Sequence, residues 1–310
     1  MITVLAGGVG AARFLTGLLA VVPPAEVTAI VNTGDDVRFH GLHISPDVDT
    51  VTYTLAGAIN QETGWGLAGE SWAAMDALAR YPASLTWFRL GDRDLGTHLY
   101  RTGRLAEGAT LSEVTADIAA AWGLGLRLLP MSDDPVQTRV TIMRDSQPLE
   151  VGFQEYFVQL SHAVPVRKVR FAGAAEARPA PHVIDAITDA ELVIISPSNP
   201  LVSIGPIRAV PGVEEALAAR RETTVAISPI IAGAAVKGPA DRMLAELGHE
   251  MSAVGVARIY APIAGALVLD EADAGLGDRV EQAGLRAVVT PTLMHGPVEA
   301  AALAKTVLSR

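Results

Sequence analysis

Apolar residues recur along the chain in short runs of four to seven, and most of these runs stop at glycine, proline, serine, asparagine or aspartate. Ile2-Thr3-Val4-Leu5-Ala6 ends at Gly7-Gly8-Val9-Gly10, and a helical pattern over 11–22, with Phe14, Leu15, Leu18 and Leu19 on one face, runs up to Pro23-Pro24. A second run, Val27–Val31, follows. Strand, glycine turn, helix, strand is the opening of a parallel α/β sheet. The rhythm returns later: Leu126–Pro130, Leu192–Ile195, Thr224–Ile227, Ala266–Leu269 and Arg286–Val289 read as strands, and helices are expected around 212–221, 239–247 and 297–308. Leu85–Leu90 also reads as a strand, and 71–81 as an amphipathic helix.

Between 138 and 171 the period changes to two. Val140–Met143, Leu149–Val151 and Val164–Phe171 are short alternating runs, with a helical turn expected at Glu155–Val158. The pattern predicts a Rossmann-like α/β fold, a mostly parallel sheet with helices on both faces and a smaller mixed or antiparallel insertion. The expected organisation is one domain over 1–310, with a lid or insertion subdomain at about 138–171. The bases in that insertion, Arg139, Arg144, Arg167, Lys168 and Arg170, are the kind that usually form a solvated face.

Composition narrows the chemistry. Half of the 310 residues are hydrophobic and 19% are charged, enough for a large core. A net charge of −10 argues against a nucleic-acid partner, which needs a basic face. The absence of cysteine removes disulfides, thiolate nucleophiles and cysteine-ligated metals, and suits a reducing compartment. No leader pattern and no run long enough to span a bilayer is visible, so no membrane partner and a cytoplasmic location are the expectation. The chain carries no Gly-x-x-x-x-Gly-Lys-Ser/Thr loop, no Gly-x-Ser-x-Gly elbow and no His-Glu-x-x-His. Arg13 stands where the third glycine of a dinucleotide fingerprint would be, so the Gly8/Gly10 turn reads as a phosphate or flavin-like approach loop, with Arg13 as a charge partner, rather than an NAD site.

The acidic connection Asn32–Thr50 is the richest stretch. It holds Asp35, Asp36, Asp47, Asp49, His40 and His43. Carboxylates so concentrated suit a divalent cation or a hydroxyl proton. The same residues also suit a plainer reading, with Asp35 and Asp36 as turn formers and Asp49 as a helix cap. The histidines fit structural hydrogen bonding better than magnesium, which prefers oxygen. Two more apolar runs end in acids, at Asp92-Arg93-Asp94 and Asp133-Asp134, which points to a shared rim. Glycines, arginine and aspartates together suit phosphoryl transfer at a metal.

Gly7-Gly8-Val9-Gly10, Asn32-Thr33-Gly34-Asp35-Asp36, His43 to Val51, Leu90-Gly91-Asp92-Arg93-Asp94, Leu129 to Pro135, Pro197-Ser198-Asn199-Pro200, Ser203-Ile204-Gly205-Pro206 and Ser228-Pro229-Ile230 occur in order over nearly the whole chain. Together they resemble the CofD/FbiA family of coenzyme F-420 biosynthesis, and its actinobacterial FbiA branch most. The resemblance implies a magnesium-dependent transferase. It would move a phosphoenolpyruvyl or 2-phospholactyl group from a guanosine diphosphate conjugate to the terminal ribityl hydroxyl of the deazaflavin Fo, release GMP and form dehydro-F-420-0 or F-420-0. The motifs leave the two donors open, with enolpyruvate preferred. Carried over by motif, Asp49 is the expected catalytic residue, and Asp49, Asp35 and Asp36 are the expected Mg2+ ligands. Arg93, Asp92, Asn32, Gly8, Gly10, Ser198, Asn199 and Ser228 are the expected substrate contacts. A homodimer is expected. The rival reading is a non-enzymatic nucleotide-sugar-binding regulator resembling the YvcK proteins.

Overall fold

The computed structural model describes residues 1–309. Seven parallel strands make the central sheet: β1 Ile2–Ala6, β2 Val27–Val31, β3 Arg127–Pro130, β4 Leu192–Ile195, β5 Thr224–Ile227, β6 Ala266–Leu269 and β7 Arg286–Val289. Their order across the sheet is β7-β6-β5-β4-β1-β2-β3. Every neighbouring pair is parallel. This is the doubly wound order 3-2-1-4-5-6 with a seventh strand added at one edge, and it bears out the Rossmann-like reading.

Side chains within each central strand alternate between two cores, which is why the runs are apolar throughout. Leu5, Ile30, Val193, Ile195, Leu267 and Leu269 face one layer of helices. Val4, Ala6, Val31, Ile194 and Val268 face the other, where they meet Phe14, Leu15 and Leu18 of α1 (Val9–Leu19), Val48 and Val51 of α2 (Pro46–Leu55), and Leu303 and Val307 of the C-terminal helix Pro297–Leu308. Among the described residues no helix is long and apolar enough to cross a membrane.

The alternating stretch forms an antiparallel sheet of Gln137–Arg144 between Gln147–Gly152 and Val166–Ala172, with a π-helical turn at Glu155–Gln159. It carries a core of its own, including Val140, Ile142, Tyr156 and Val166, closed by Val202 and Met243. Residues 85–90, expected as a strand, form no strand. Leu85 is exposed, while Trp87 and Phe88 pack against Phe39 of a hairpin made by Val37–Phe39 and Leu42–Ile44. A run that contributes single aromatic side chains to a cluster has no sheet edge to pair with, so its apolar character misleads. The hairpin turns on His40 and Gly41, both at positive φ (52° and 80°), the geometry of a tight two-residue turn.

Candidate active site

A cavity of about 620 Å³ opens beyond the carboxyl ends of β1 and β4. The chain leaves these two strands on opposite sides of the sheet, so their outgoing turns part and leave a crevice. Gly8, Val9 and Gly10 line it after β1, and Pro197, Ser198 and Asn199 after β4. The two turns are tied together: the Gly7 N–H donates to Ser198 Oγ at 3.2 Å, and Ser198 Oγ lies 3.0 Å from Ser196 Oγ. A Cβ on Gly10 would overlap the Pro197 carbonyl, and one on Gly8 would come within 2.6 Å of Asp47 Oδ1. Gly10→Ala is therefore expected to cost about 1–3 kcal/mol of stability by overpacking, read as a lowered denaturation midpoint.

The acidic wall comes from the β2 turn and α2. Pro46 occupies the first turn of α2, where its missing N–H costs nothing. From there the helical period directs Pro46, Asp47 and Thr50 to the cavity and Val48 and Val51 to the core. Asn32 sets Asp47 in place, donating Nδ2 to Asp47 Oδ2 at 2.9 Å while its Oδ1 accepts the Gly34 N–H at 2.8 Å. Asp35 faces the same cavity, and its Oδ1 is buried without a hydrogen-bond partner. Burial pushes the Asp47 carboxyl up to about 7. Burial first, then the Asp47 charge, raises Asp35 well above the ordinary carboxylate range. Two carboxylates held close together, Asp35 buried and Asp47 half-buried, call for a proton or a cation.

Two aromatic walls complete the cavity. Trp87 and Phe88 stand on one, and Phe153 and Phe157, stacked with centroids 5.6 Å apart, stand on the other. Trp65 sits at the mouth, half exposed, edge-on to Trp72 at 6.4 Å. Arg13, Arg89 and Lys237 bring positive charge.

A family model described as "2-phospho-L-lactate transferase CofD" matches residues 2–290. Proteins named phosphoenolpyruvate transferase from Streptomyces griseus and Kitasatospora aureofaciens are 46% and 48% identical to this chain, each covering 99% of it and 97% of the relative. The chain belongs to the CofD family. A third relative of that name, from Mycolicibacterium smegmatis, is 41% identical over 315 aligned residues, 98% of this chain and 96% of the relative. A crystal structure of a UPF0052-family protein from Bacillus halodurans shares the fold at a TM-score of 0.63 with 16% identity, over 99% of this chain and 98% of that one.

This CofD-family chain gathers only part of the expected residue set at the cavity. Asp35, Gly8, Gly10, Ser198, Asn199 and Ser228 line it. Asn32 acts one step back, through Asp47. Asp36 is turned away and engaged with His43 Nε2 at 2.8 Å and Ser45 Oγ at 2.7 Å, so His43 has the structural part expected of it. Asp49 is buried in a different network. Arg101 grips both of its oxygens through Nη1 and Nη2, and His98 Nδ1 lies 3.7 Å away. His98 Nε2 is 3.1 Å from Asp94, which also accepts from the Tyr53 hydroxyl at 2.6 Å. Burial opposes the ionisation of Asp94, but His98 and Tyr53 outweigh it and hold its carboxyl below the usual range.

The other two acid-tipped turns do not join a shared rim. Asp92 accepts from Ser71 Oγ and from the Ala73 and Ala74 N–H groups, capping the helix Ala73–Leu78. Arg93 reaches the Ala68 carbonyl at 2.7 Å, outside the cavity lining. Asp133 caps the helix Leu111–Ala121 through Ser112, and Asp134 accepts from the Arg178 N–H. Helix capping accounts for Asp92 and Asp133, and a loop hydrogen bond for Asp134. Asp47, the two aromatic walls and Lys237 were not among the site residues expected from sequence, and Arg13 was expected only as a charge partner of the glycine turn. For Asp47 the signal was present: Asp47 and Asp49 are two residues apart in a helix and so point to nearly opposite sides.

Proposed function

We propose that this protein transfers a phosphoenolpyruvyl group, or a 2-phospholactyl group, from a guanosine diphosphate conjugate to the terminal ribityl hydroxyl of the deazaflavin Fo. The observation that carries the reading is one cavity joining a glycine turn, the Asp35/Asp47 acid pair and two aromatic walls. The relatives' name, phosphoenolpyruvate transferase, supports the enolpyruvyl donor. The Gly8–Gly10 backbone at the start of α1 receives the diphosphate, where unpaired N–H groups and the helix dipole favour an anion. The planar ring of Fo lies against the aromatic walls.

Asp35 and Asp47 would hold Mg2+. Among the described residues no cluster of three or more acids or histidines is placed to hold a metal. A magnesium ion is commonly bound by one or two carboxylates together with substrate phosphates, so the orphaned Asp35 Oδ1 beside Asp47 fits that ion. When bound, the cation neutralises charge on the diphosphate. In the transfer the ribityl oxygen bonds to the phosphorus that bears the three-carbon acid, the bond from that phosphorus to the GMP oxygen breaks, and the hydroxyl proton passes to Asp47. The value of about 7 belongs to the metal-free carboxyl and a bound cation would lower it, so the proton transfer rests not on that value but on the position of Asp47 beside the hydroxyl. Asn32 keeps it aimed. Ser198, Asn199 and Ser228, on the turns after β4 and β5, face the guanosine half.

The direct test incubates the protein with Fo, Mg2+ and each guanosine conjugate and weighs the product. Dehydro-F-420-0 from the enolpyruvyl donor is the expected result. A protein that binds the conjugate but neither binds nor converts Fo would be a regulator.

A pH dependence follows from the acid pair. Both folded-state pKa values are raised, so in the metal-free protein the pair's contribution to stability is fully present below the ordinary carboxylate pKa, near 4. It is lost as pH rises through about 7. A cation competes with that proton. Added Mg2+ is expected to raise the melting temperature more at pH 8 than at pH 6, and equal shifts at the two values would remove Asp35 and Asp47 from the cation site.

A further inference from the structure

Three basic side chains line the cavity, and they differ in what balances them. Arg89 is spoken for: its Nη2 lies 3.1 Å from Asp76, and its guanidinium sits 4.8 Å over the Trp72 ring. Arg13 and Lys237 have no carboxylate partner among the described residues. The Lys237 ammonium donates to the Thr63 carbonyl at 3.0 Å, a neutral acceptor. Burial, then the Arg13 charge, makes protonation of Lys237 harder than usual, so the two cations repel each other across this end of the cavity. Both are held by ordered backbone. Arg13 projects from α1 one turn beyond the glycine turn, and Lys237 reaches from the loop before the helix Ala240–Glu246 to the Thr63–Gly64 turn. Both side chains are solvent-exposed, and like charges held near one another at the edge of a cavity, with no acid between them, favour an anion there.

The donor proposed above carries two kinds of anion. Its diphosphate is met by the glycine turn and by the cation that Asp35 and Asp47 would hold. Its remaining negative group is the carboxylate of the three-carbon acid, and the remaining unbalanced positive groups are Arg13 and Lys237. We propose that Arg13 and Lys237 form an anion subsite that takes the carboxylate of the acid carried by the donor. This rests on the transfer reading for the identity of the donor. The subsite makes the pair specificity-determining: it selects a guanosine diphosphate conjugate of a carboxylic acid over neutral conjugates, such as those of simple sugars. Enolpyruvate and lactate both carry the carboxylate, so the subsite accepts either acid.

Binding calorimetry in the absence of Fo tests the subsite apart from the transfer. The probes are the enolpyruvyl conjugate, its carboxamide analogue and GMP. The wild-type protein is expected to bind the acid about 10- to 100-fold more tightly than the amide, the range for a hydrogen-bonded charge pair. Arg13→Gln and Lys237→Met are each expected to weaken the acid about tenfold or more while leaving the amide and GMP unchanged, and Lys237→Arg to retain the preference. Arg13→Gln breaks no hydrogen bond within the protein, so its result does not depend on the Thr63 contact. Equal affinity of the wild type for acid and amide overturns the subsite. So does a parallel loss of GMP or amide binding in the variants, which would assign the pair to phosphate. Discrimination by the wild type without GMP release on adding Fo would leave the subsite standing and remove the transfer.

Discussion

Asp47→Asn is expected to lower turnover about a thousandfold or more while leaving the fold at least as stable. The substitution keeps the shape of the side chain and the hydrogen bond from Asn32 Nδ2, since a carboxamide oxygen accepts it as well. It removes the charge that faces the cation and the diphosphate, and it removes the proton acceptor. Transition-state charge stabilisation at such a centre is worth several kcal/mol, and each 1.36 kcal/mol is tenfold in rate. Stability moves the other way because the wild-type carboxylate is held at a cost. Burial pushes its pKa to about 7, so at pH 8 the metal-free protein carries a desolvated charge that asparagine does not. A variant with wild-type melting behaviour, wild-type GMP affinity and almost no product is the expected set. Wild-type turnover by Asp47→Asn, with loss of turnover at unchanged stability in Asp49→Asn, would move the chemistry back to Asp49.

The central sheet was legible because its strands are buried on both faces. Parallel strands covered by two helical layers need apolar residues at every position, and Val27–Val31 or Leu192–Ile195 can be read as little else. The antiparallel sheet at 137–172 announced itself by the opposite sign, alternation, because its outer face is polar. Leu85–Leu90 failed for a reason that periodicity does not hold. Its Trp87 and Phe88 are apolar to serve a cluster and a cavity wall, and nothing local distinguishes that from a strand.

Legibility of the site divided along the same line between local and long-range causes. The two turns at the switch point carry their small and polar residues in sequence, so Gly8, Gly10, Ser198 and Asn199 could be named before their meeting was seen. Which acid faces the cavity depends on α2's rotation, fixed by Val48 and Val51 entering the core. Asp49 then points to the helix Asp94–Ala106, where Asp94, His98 and Arg101 recur at i, i+4 and i+7. That stripe stands where an amphipathic helix would show apolar residues, and it marks a buried polar seam rather than a solvent face. Read that way, it announces a partner acid on another element, which is Asp49.

Arg101→Leu is expected to cost about 3–5 kcal/mol, among the largest single losses available to this fold. Arg101 is fully buried. It holds both oxygens of Asp49 and approaches the His43 carbonyl at 3.4 Å. Removing it leaves the Asp49 carboxylate in the interior without its guanidinium, next to Tyr53, whose own ionisation burial and the neighbouring acids suppress. Adding Asp49→Leu should recover much of the loss, because the cost comes from one stranded charge and not from missing volume, and the pair would show a large coupling in a double-mutant cycle. Urea midpoints of Arg101→Leu, Asp49→Leu and the double variant measure that coupling, and strictly additive losses would show that Asp49 is not the group left stranded. Asp47 lies one helical half-turn from Asp49 on the same first turn of α2, so the Arg101 variant is also expected to lose part of its turnover. That part should return with Asp49→Leu if the pair only positions α2, and stay lost if the Asp49 carboxylate itself takes part in the transfer.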